Sequence, residues 1–200
     1  MLASTIIVRY IFLDRDGVLN RKLPEGAYVS TWEQFQWLPG AVEAVARMTH
    51  AGWTVMVVTN QRGLALGKLT VAQLELLHEN MRADLEREGA RLNAIYYCPH
   101  DHGECRCRKP DSGLFEQAWE QFPEANAQNS LVIGDSLSDI QAGKRLGMQT
   151  IFIRGEEERQ KEGADAAASL ADAVAGSLLE AVEAHLDLKV QSQVSQKTFP

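Results

Sequence analysis

The sequence predicts an α/β protein of three layers, α/β/α, with helices on both faces of a central parallel sheet. Three observations carry that expectation. Short apolar runs alternate with stretches of helical periodicity along most of the chain, the order expected of successive βαβ units. Polar segments rich in Gly and Asp fall directly after the apolar runs, where the loops of an open α/β sheet lie. Two hundred residues at 45% apolar content suffice for one full core and are too few for two. The fold expected is therefore Rossmann-like, with residues 1–188 as a single domain and residues 189–200 as a polar, disordered tail.

Residues 6–13 read as the first strand, an apolar run that ends at Asp14-Arg15-Asp16-Gly17. Pro39-Gly40 opens a helix that reaches about residue 50 and stops at Ala51-Gly52, after which residues 53–58 form the second strand. The longest helix starts at Thr70, which has Gln73 three residues on in a capping-box pattern. It runs to Gly89, with Leu74, Leu77, Met81 and Leu85 at helical spacing. A third strand covers residues 92–97, a helix residues 113–121, and a fourth strand residues 131–133. A helix over 138–146 is closed by Gly147, and residues 150–153 make a fifth strand. The charged stretch 156–162 is expected to be a solvated turn or short helix. The Ala-rich segment 164–184 is expected to be one last helix with Leu178, Leu179 and Val182 on its apolar face.

Composition narrows the function classes. A net charge of -7 and no basic stripe argue against nucleic acid or an anionic membrane as partner. No apolar run approaches the length of a membrane span and no leader pattern is seen, so a cytoplasmic protein acting on a small anionic molecule is expected. All three cysteines fall between positions 98 and 107, an odd count crowded into one loop, which suits metal ligation better than a disulfide framework.

Four segments carry the chemistry. Asp14 and Asp16 stand two residues apart where a buried strand ends, so both carboxylates could face one phosphate, and Gly17 lets the chain turn away beneath them. Thr59-Asn60 follows the second strand, Arg108-Lys109-Pro110 lies in the cysteine loop, and Gly134-Asp135-Ser136-Leu137-Ser138-Asp139 follows the fourth strand. The loop itself offers Cys98, Cys105 and Cys107 with His100 or His102. That makes three thiolates and one imidazole, a closed tetrahedral shell of the kind that holds structural zinc. Zinc there would pin Arg108 and Lys109, the next residues along.

These four segments, in this order, resemble the haloacid dehalogenase superfamily of phosphotransferases over about residues 7–154. The intervals 20–39 and 60–92 are too short for a cap domain, so the resemblance is to a capless member. It implies Asp14 as the nucleophile that becomes aspartyl-phosphate, and Asp16 as general acid and then base, starting protonated under nearby negative charge. It implies Mg2+ on Asp14, Asp135 and the backbone carbonyl of Asp16, with Asp139 orienting ligands or capping its helix. Thr59 would offer its hydroxyl to the phosphoryl oxygens and Lys109 a fixed positive charge.

The cysteine loop narrows the resemblance to the subgroup of heptose-bisphosphate and histidinol-phosphate phosphatases, whose C-P-H pattern favours His100 over His102 as the fourth zinc ligand. The heptose-bisphosphate phosphatases are the closer match, and the resemblance to them implies that Thr59, Asn60, Gln61, Arg108 and Lys109 contact substrate. The activity implied is release of the C7 phosphate of a heptose 1,7-bisphosphate by a monomer, on the route to lipopolysaccharide or S-layer precursors. The alternatives are hydrolysis of histidinol phosphate or another small phosphomonoester, or a catalytically silent phosphate-binding domain. The family pattern is departed from in three places: Arg62 stands where serine is common, Leu66 where arginine is common, and the pair Arg21-Lys22 where an acidic residue is common. Arg62 and Lys22 are therefore expected to bind the second, non-reacting phosphate, with Leu66 on a solvated rim. His50, His78 and His185 are expected at helix surfaces or ends, and Trp32 and Trp37 either roof the site or pack beneath its loop.

Overall fold

The apolar run before Asp14 becomes the centre of the sheet. The computed structural model describes residues 9–155, 160 and 162–186, so residues 6–8 of the expected first strand, residues 156–159 and 161 of the charged stretch, and the tail from 187 lie outside the described residues. Strands β1 (Tyr10–Leu13), β2 (Thr54–Asn60), β3 (Ala94–Cys98), β4 (Ser130–Gly134), β5 (Gln149–Ile153) and β6 (Ala173–Ala175) form one parallel sheet in the order β3-β2-β1-β4-β5-β6. Leu13 pairs with Val57 on one side and Ile133 on the other. The winding direction reverses between β1 and β4, and open α/β sheets bind their ligands at that switch point.

Helices α1 (Ala41–His50), α2 (Val71–Arg87), α3 (Gly113–Gln121), α4 (Leu137–Arg145), α5 (Ala164–Leu170) and α6 (Leu178–His185) cover the sheet. Both faces are buried, so β1 reads as continuously apolar, and its residues alternate between two cores. Ile11 and Leu13 pack with Val45 and Met48 of α1, Leu77 and Met81 of α2 and Val182 of α6. Phe12 packs on the other face with Leu114 and Phe115 of α3 and Ala142 of α4, its ring edge-on to Phe115 at 5.2 Å. The three-layer arrangement follows. Thr70 caps α2 as the sequence indicates, accepting from Gln73 N at 3.2 Å while its own N–H meets Gln73 Oε1 at 2.8 Å.

Three element expectations need correction. Among the described residues the sheet has six strands, because the expected single helix over 164–184 is broken into α5, β6 and α6. Ala173–Ala175 pairs with Ile151–Ile153 along the open edge of β5, and Ser177 then starts α6 by accepting from Glu180 N at 3.1 Å. Edge pairing and a capped restart outweigh alanine's helix preference here. The second strand extends through Thr59 and Asn60, so these residues sit inside β2. The third strand begins two residues later than expected, at Ala94, and reaches Cys98. Residues 14–40 contain the 3-10 turn Trp32–Gln34 and isolated bridges that join Asn20 to Asp16 and to Trp37, and residues 61–70 contain no helix or strand, so neither connection carries a cap domain. Among the described residues no helix is long and apolar enough to cross a membrane.

Candidate active site

The C-terminal ends of β1 and β4 bring three carboxylates together. Asp14, Asp135 and Asp139 are all buried, and each offers an oxygen within 4.8 Å of the others. Gly17 and Gly134 permit that approach. A Cβ on Gly17 would lie 1.9 Å from Asp135 Oδ2, and Gly17 holds a φ of +96°, a region open to glycine; a Cβ on Gly134 would lie 2.2 Å from Asp139 Cβ. Asp139 caps α4 through Oδ2, which accepts from Ser136 N at 3.0 Å and Ser136 Oγ at 2.5 Å.

Lys109 answers this negative charge. The residue is 4% exposed, and its ammonium lies 2.6 Å from Asp139 Oδ1 and 3.1 Å from Asp14 Oδ1 and donates to Val58 O at 2.5 Å. Burial alone would lower its pKa, but Asp139 and Asp14 more than offset that, and the group stays charged. Its main chain is fixed by Asn60, whose side chain donates to Lys109 O at 3.1 Å and accepts from Lys109 N at 3.0 Å. Asn60, expected to touch substrate, thus positions the lysine.

Asp16 lies outside this carboxylate group. Its carboxylate accepts from Arg15 Nη2 at 2.9 Å, Gln61 Nε2 at 2.9 Å and Asn20 Nδ2 at 3.0 Å. Burial pushes its pKa up, but the Arg15 charge and these hydrogen bonds prevail and hold it at about 2. The expectation that Asp16 starts protonated is corrected: the adjacent guanidinium, not negative charge, sets its state. Gln61 also donates to Thr59 Oγ1 at 3.0 Å and accepts from Arg15 Nη2 at 3.2 Å, so Thr59 and Asp16 hang on one amide.

Behind Asp16, Arg15 is 1% exposed and its Nη1 lies 3.4 Å from Nε2 of His78 on α2. His78 is no surface residue, contrary to expectation. Burial, then the charges of Arg15 and Arg82, lower its pKa to about 3, and the neutral ring presents a lone pair to Arg15. His50 and His185 are exposed as expected. Trp32 and Trp37 pack instead of roofing the site: Trp32 stacks on Phe35 at 4.8 Å, Trp37 meets Phe35 edge-on at 4.9 Å, and Trp37 Nε1 donates to Asp84 at 3.1 Å.

The cysteine loop closes on itself. Cys98, His100, Cys105 and Cys107 each offer a ligand atom within 4.8 Å of the rest. Sulfur–sulfur separations are 3.2 and 3.5 Å and sulfur–Nδ1 separations to His100 are 3.4 and 3.7 Å. A zinc tetrahedron with ordinary bond lengths has S···S edges of about 3.8 Å and S···N edges of about 3.5 Å, so the sulfur–nitrogen separations match it and the sulfurs are gathered somewhat more tightly than it requires. His102 is not in the group; its Nε2 lies 3.4 Å from Arg108 Nη2. Arg62 reaches the same loop, donating to Asp101 Oδ1 and Oδ2 at 2.5 and 3.1 Å, and that pairing lowers the Asp101 pKa to about 2. Leu66 is exposed, on the rim. Lys22 turns inward to form an ion pair with Asp135.

Residues 106–181 match the HAD-hydrolase-like family. The chain is 38% identical over 157 residues to the D-glycero-beta-D-manno-heptose-1,7-bisphosphate 7-phosphatase of Pseudomonas putida, spanning 78% of this chain and 88% of that protein. This chain belongs to the haloacid dehalogenase superfamily, in its heptose-1,7-bisphosphate 7-phosphatase subgroup. The alpha-anomer 7-phosphatase of Mycobacterium bovis is also 38% identical, over 66% of this chain and 69% of its own. The crystal structure of D,D-heptose 1,7-bisphosphate phosphatase from B. bronchiseptica, complexed with magnesium and phosphate, superposes with a TM-score of 0.77 at 31% identity, covering 88% of this chain and 97% of the other.

In this haloacid dehalogenase-like protein the carboxylates and the sulfur ligands are legible in the sequence, whereas the roles of Arg15, Asn20 and His78 are not. Asn20 is fully buried between Asp16 and Arg21 O. Arg15 carried a signal in principle, being a charged residue between two acids at the end of an apolar run. His78 carried none, because it meets Arg15 across 63 positions of sequence.

Proposed function

We propose that the protein is a magnesium-dependent phosphatase that removes the C7 phosphate of D-glycero-D-manno-heptose 1,7-bisphosphate through an aspartyl-phosphate on Asp14. The observation that carries this reading is the convergence of Asp14, Asp135, Asp139 and Lys109 at the sheet's switch point in a chain that matches heptose-bisphosphate phosphatases over most of its length. Relatives named for the beta and the alpha anomer match at the same 38% identity, so the proposal concerns the C7 ester common to both.

Asp14 receives Arg15 N at 2.8 Å and Lys109 Nζ at 3.1 Å, both on Oδ1. Among the described residues none donates to Oδ2, which is the oxygen left to attack phosphorus. As its bond to phosphorus forms, the bond to the sugar oxygen breaks, and Asp16 supplies that oxygen with a proton. Asp16 then removes a proton from the water that hydrolyses the acyl phosphate. Because Asp16 is ionised in the free protein, it serves directly as base and must take up a proton with substrate to serve as acid. Lys109 holds Asp14 in place and supplies positive charge beside the phosphoryl oxygens throughout.

Asp14 and Asp135, with the main-chain carbonyl of Asp16, are the residues that would hold magnesium, which when bound neutralises charge on phosphate and carboxylates. Cys98, His100, Cys105 and Cys107 would hold zinc in a closed shell, which suits a structural role. Thr59, Gln61, Arg62 and Arg108 remain candidates for substrate contact. Residues 1–188 are taken as one catalytic domain, working as a cytoplasmic monomer. The test is phosphate release with magnesium from heptose 1,7-bisphosphate and from histidinol phosphate. Turnover of the bisphosphate, abolished by Asp14→Asn, is expected; preference for histidinol phosphate, or activity surviving in the variant, overturns the reading.

A further inference from the structure

A cavity of about 330 Å³ opens beside Asp135, within the size range of small-molecule sites. Gly17 and Asp135 line it, so it is continuous with the carboxylate site, and Arg21, Lys22 and Arg154 bring three basic side chains to it. Leu38, Ile153 and Leu178 supply apolar walls, and charges beside such walls act at lower dielectric than in water. We propose that this cavity is a second anion site, which takes the non-reacting phosphate of a sugar bisphosphate whose other phosphate lies at Asp14; this deepens, and rests on, the function proposed above.

Three observations separate this assignment from a chance cluster. The chain as a whole carries a net charge of -7, so three cations against the single acid Asp135 among the described lining residues of one small cavity run against its background. Lys22 is directed there by the backbone: a Cβ on Gly17 would lie 2.3 Å from Lys22 Cε, so the absence of that Cβ lets the lysine cross to Asp135 at the border of the two sites. Among the described residues Arg154 pairs with Asp165, at 3.4 Å and with that carboxylate 95% exposed, and an ion pair so exposed is weak. The start of α6 is not the anion holder, because Glu180 Oε2 already accepts from Gly176 N at 2.9 Å. Arg62, the other basic departure from the family pattern, is bound to Asp101 and does not line the cavity. The pair Arg62 and Lys22 expected from sequence is thus replaced by Arg21, Lys22 and Arg154.

The experiment measures kcat/KM for D-glycero-D-manno-heptose 1,7-bisphosphate and for the corresponding 7-monophosphate in the wild type, Arg154→Ala, Arg154→Lys and Arg21→Ala, with magnesium present. The wild type is expected to favour the bisphosphate. In each alanine variant that preference should fall roughly tenfold through the KM of the bisphosphate, the scale of one lost charge-assisted hydrogen bond, with Arg154→Lys retaining part of it. Variants that keep the wild-type preference, or that lose activity on both esters in parallel, overturn the second anion site while leaving the proposed function standing. Failure of the wild type to release phosphate from the bisphosphate overturns both.

Discussion

Lys109 lies between two buried carboxylates, and its ammonium is the cation that faces both Asp14 and Asp139. Removing one member of a buried ion pair leaves an uncompensated charge, which costs about 3 to 5 kcal/mol. Lys109→Met keeps the volume and deletes the charge. We expect it to lower unfolding free energy by about that amount in urea titration and to reduce kcat by roughly 10²- to 10³-fold, the usual loss when one stabilising donor is removed. Gly17 is the second single-atom constraint. Gly17→Ala would place a methyl 1.9 Å from Asp135 Oδ2 on a backbone with φ of +96°, so Asp135 must move. A misplacement of about 1 Å can cost roughly 100-fold in rate, and at least that loss of magnesium-dependent turnover is expected, with folding retained by circular dichroism.

Between β3 and α3, residues 99–112 have no regular structure, yet Lys109 must be held to tenths of an ångström. Two devices hold it: the four-ligand cluster at one end and the Asn60 clamp on the Lys109 main chain. Zinc removal with a strong chelator and a thiol-reactive probe is therefore expected to lower both melting temperature and kcat, while mild chelation should abolish activity reversibly with the melting temperature little changed. Equal thermal shifts from the two treatments would contradict this division. The cluster was legible in the sequence because its ligands lie within ten residues of one another, and the carboxylates because each ends a strand with a clear apolar pattern. The break of the last helix was harder to read: alanines fit helix and edge strand alike, and the decisive feature, pairing of Ala173–Ala175 with β5, is a long-range contact. Only Ser177 and Glu180, three apart, marked the restart locally. The support of Asp16 was illegible for the same reason, since Arg15, Gln61 and His78 come from three separate segments.

At the scale of the whole molecule, that buried support makes stability depend on pH. His78 has its pKa lowered from 6.5 to about 3, by burial first and then by Arg15 and Arg82, so the unfolded chain binds its proton at a higher pH than the folded one. Stability is thus fully present above pH 6.5 and falls as pH drops towards about 3. Asp16, lowered to about 2 chiefly by Arg15 against the effect of burial, has the same sign but acts only below its ordinary value of 3.8. Between pH 6.5 and 4.5 the loss assigned to His78 should therefore reach roughly 2 to 3 kcal/mol, from two pH units at 1.36 kcal/mol each. His78→Gln keeps an acceptor for Arg15 and has nothing to protonate. Urea unfolding of both proteins across this range should show a difference in stability that narrows, and can reverse, as pH falls to 4.5. Parallel curves would mean that His78 is charged in the fold, or that the unfolded chain does not hold its proton at the ordinary pKa; subtracting the variant cancels the acid sensitivity of the zinc ligands, which both proteins share.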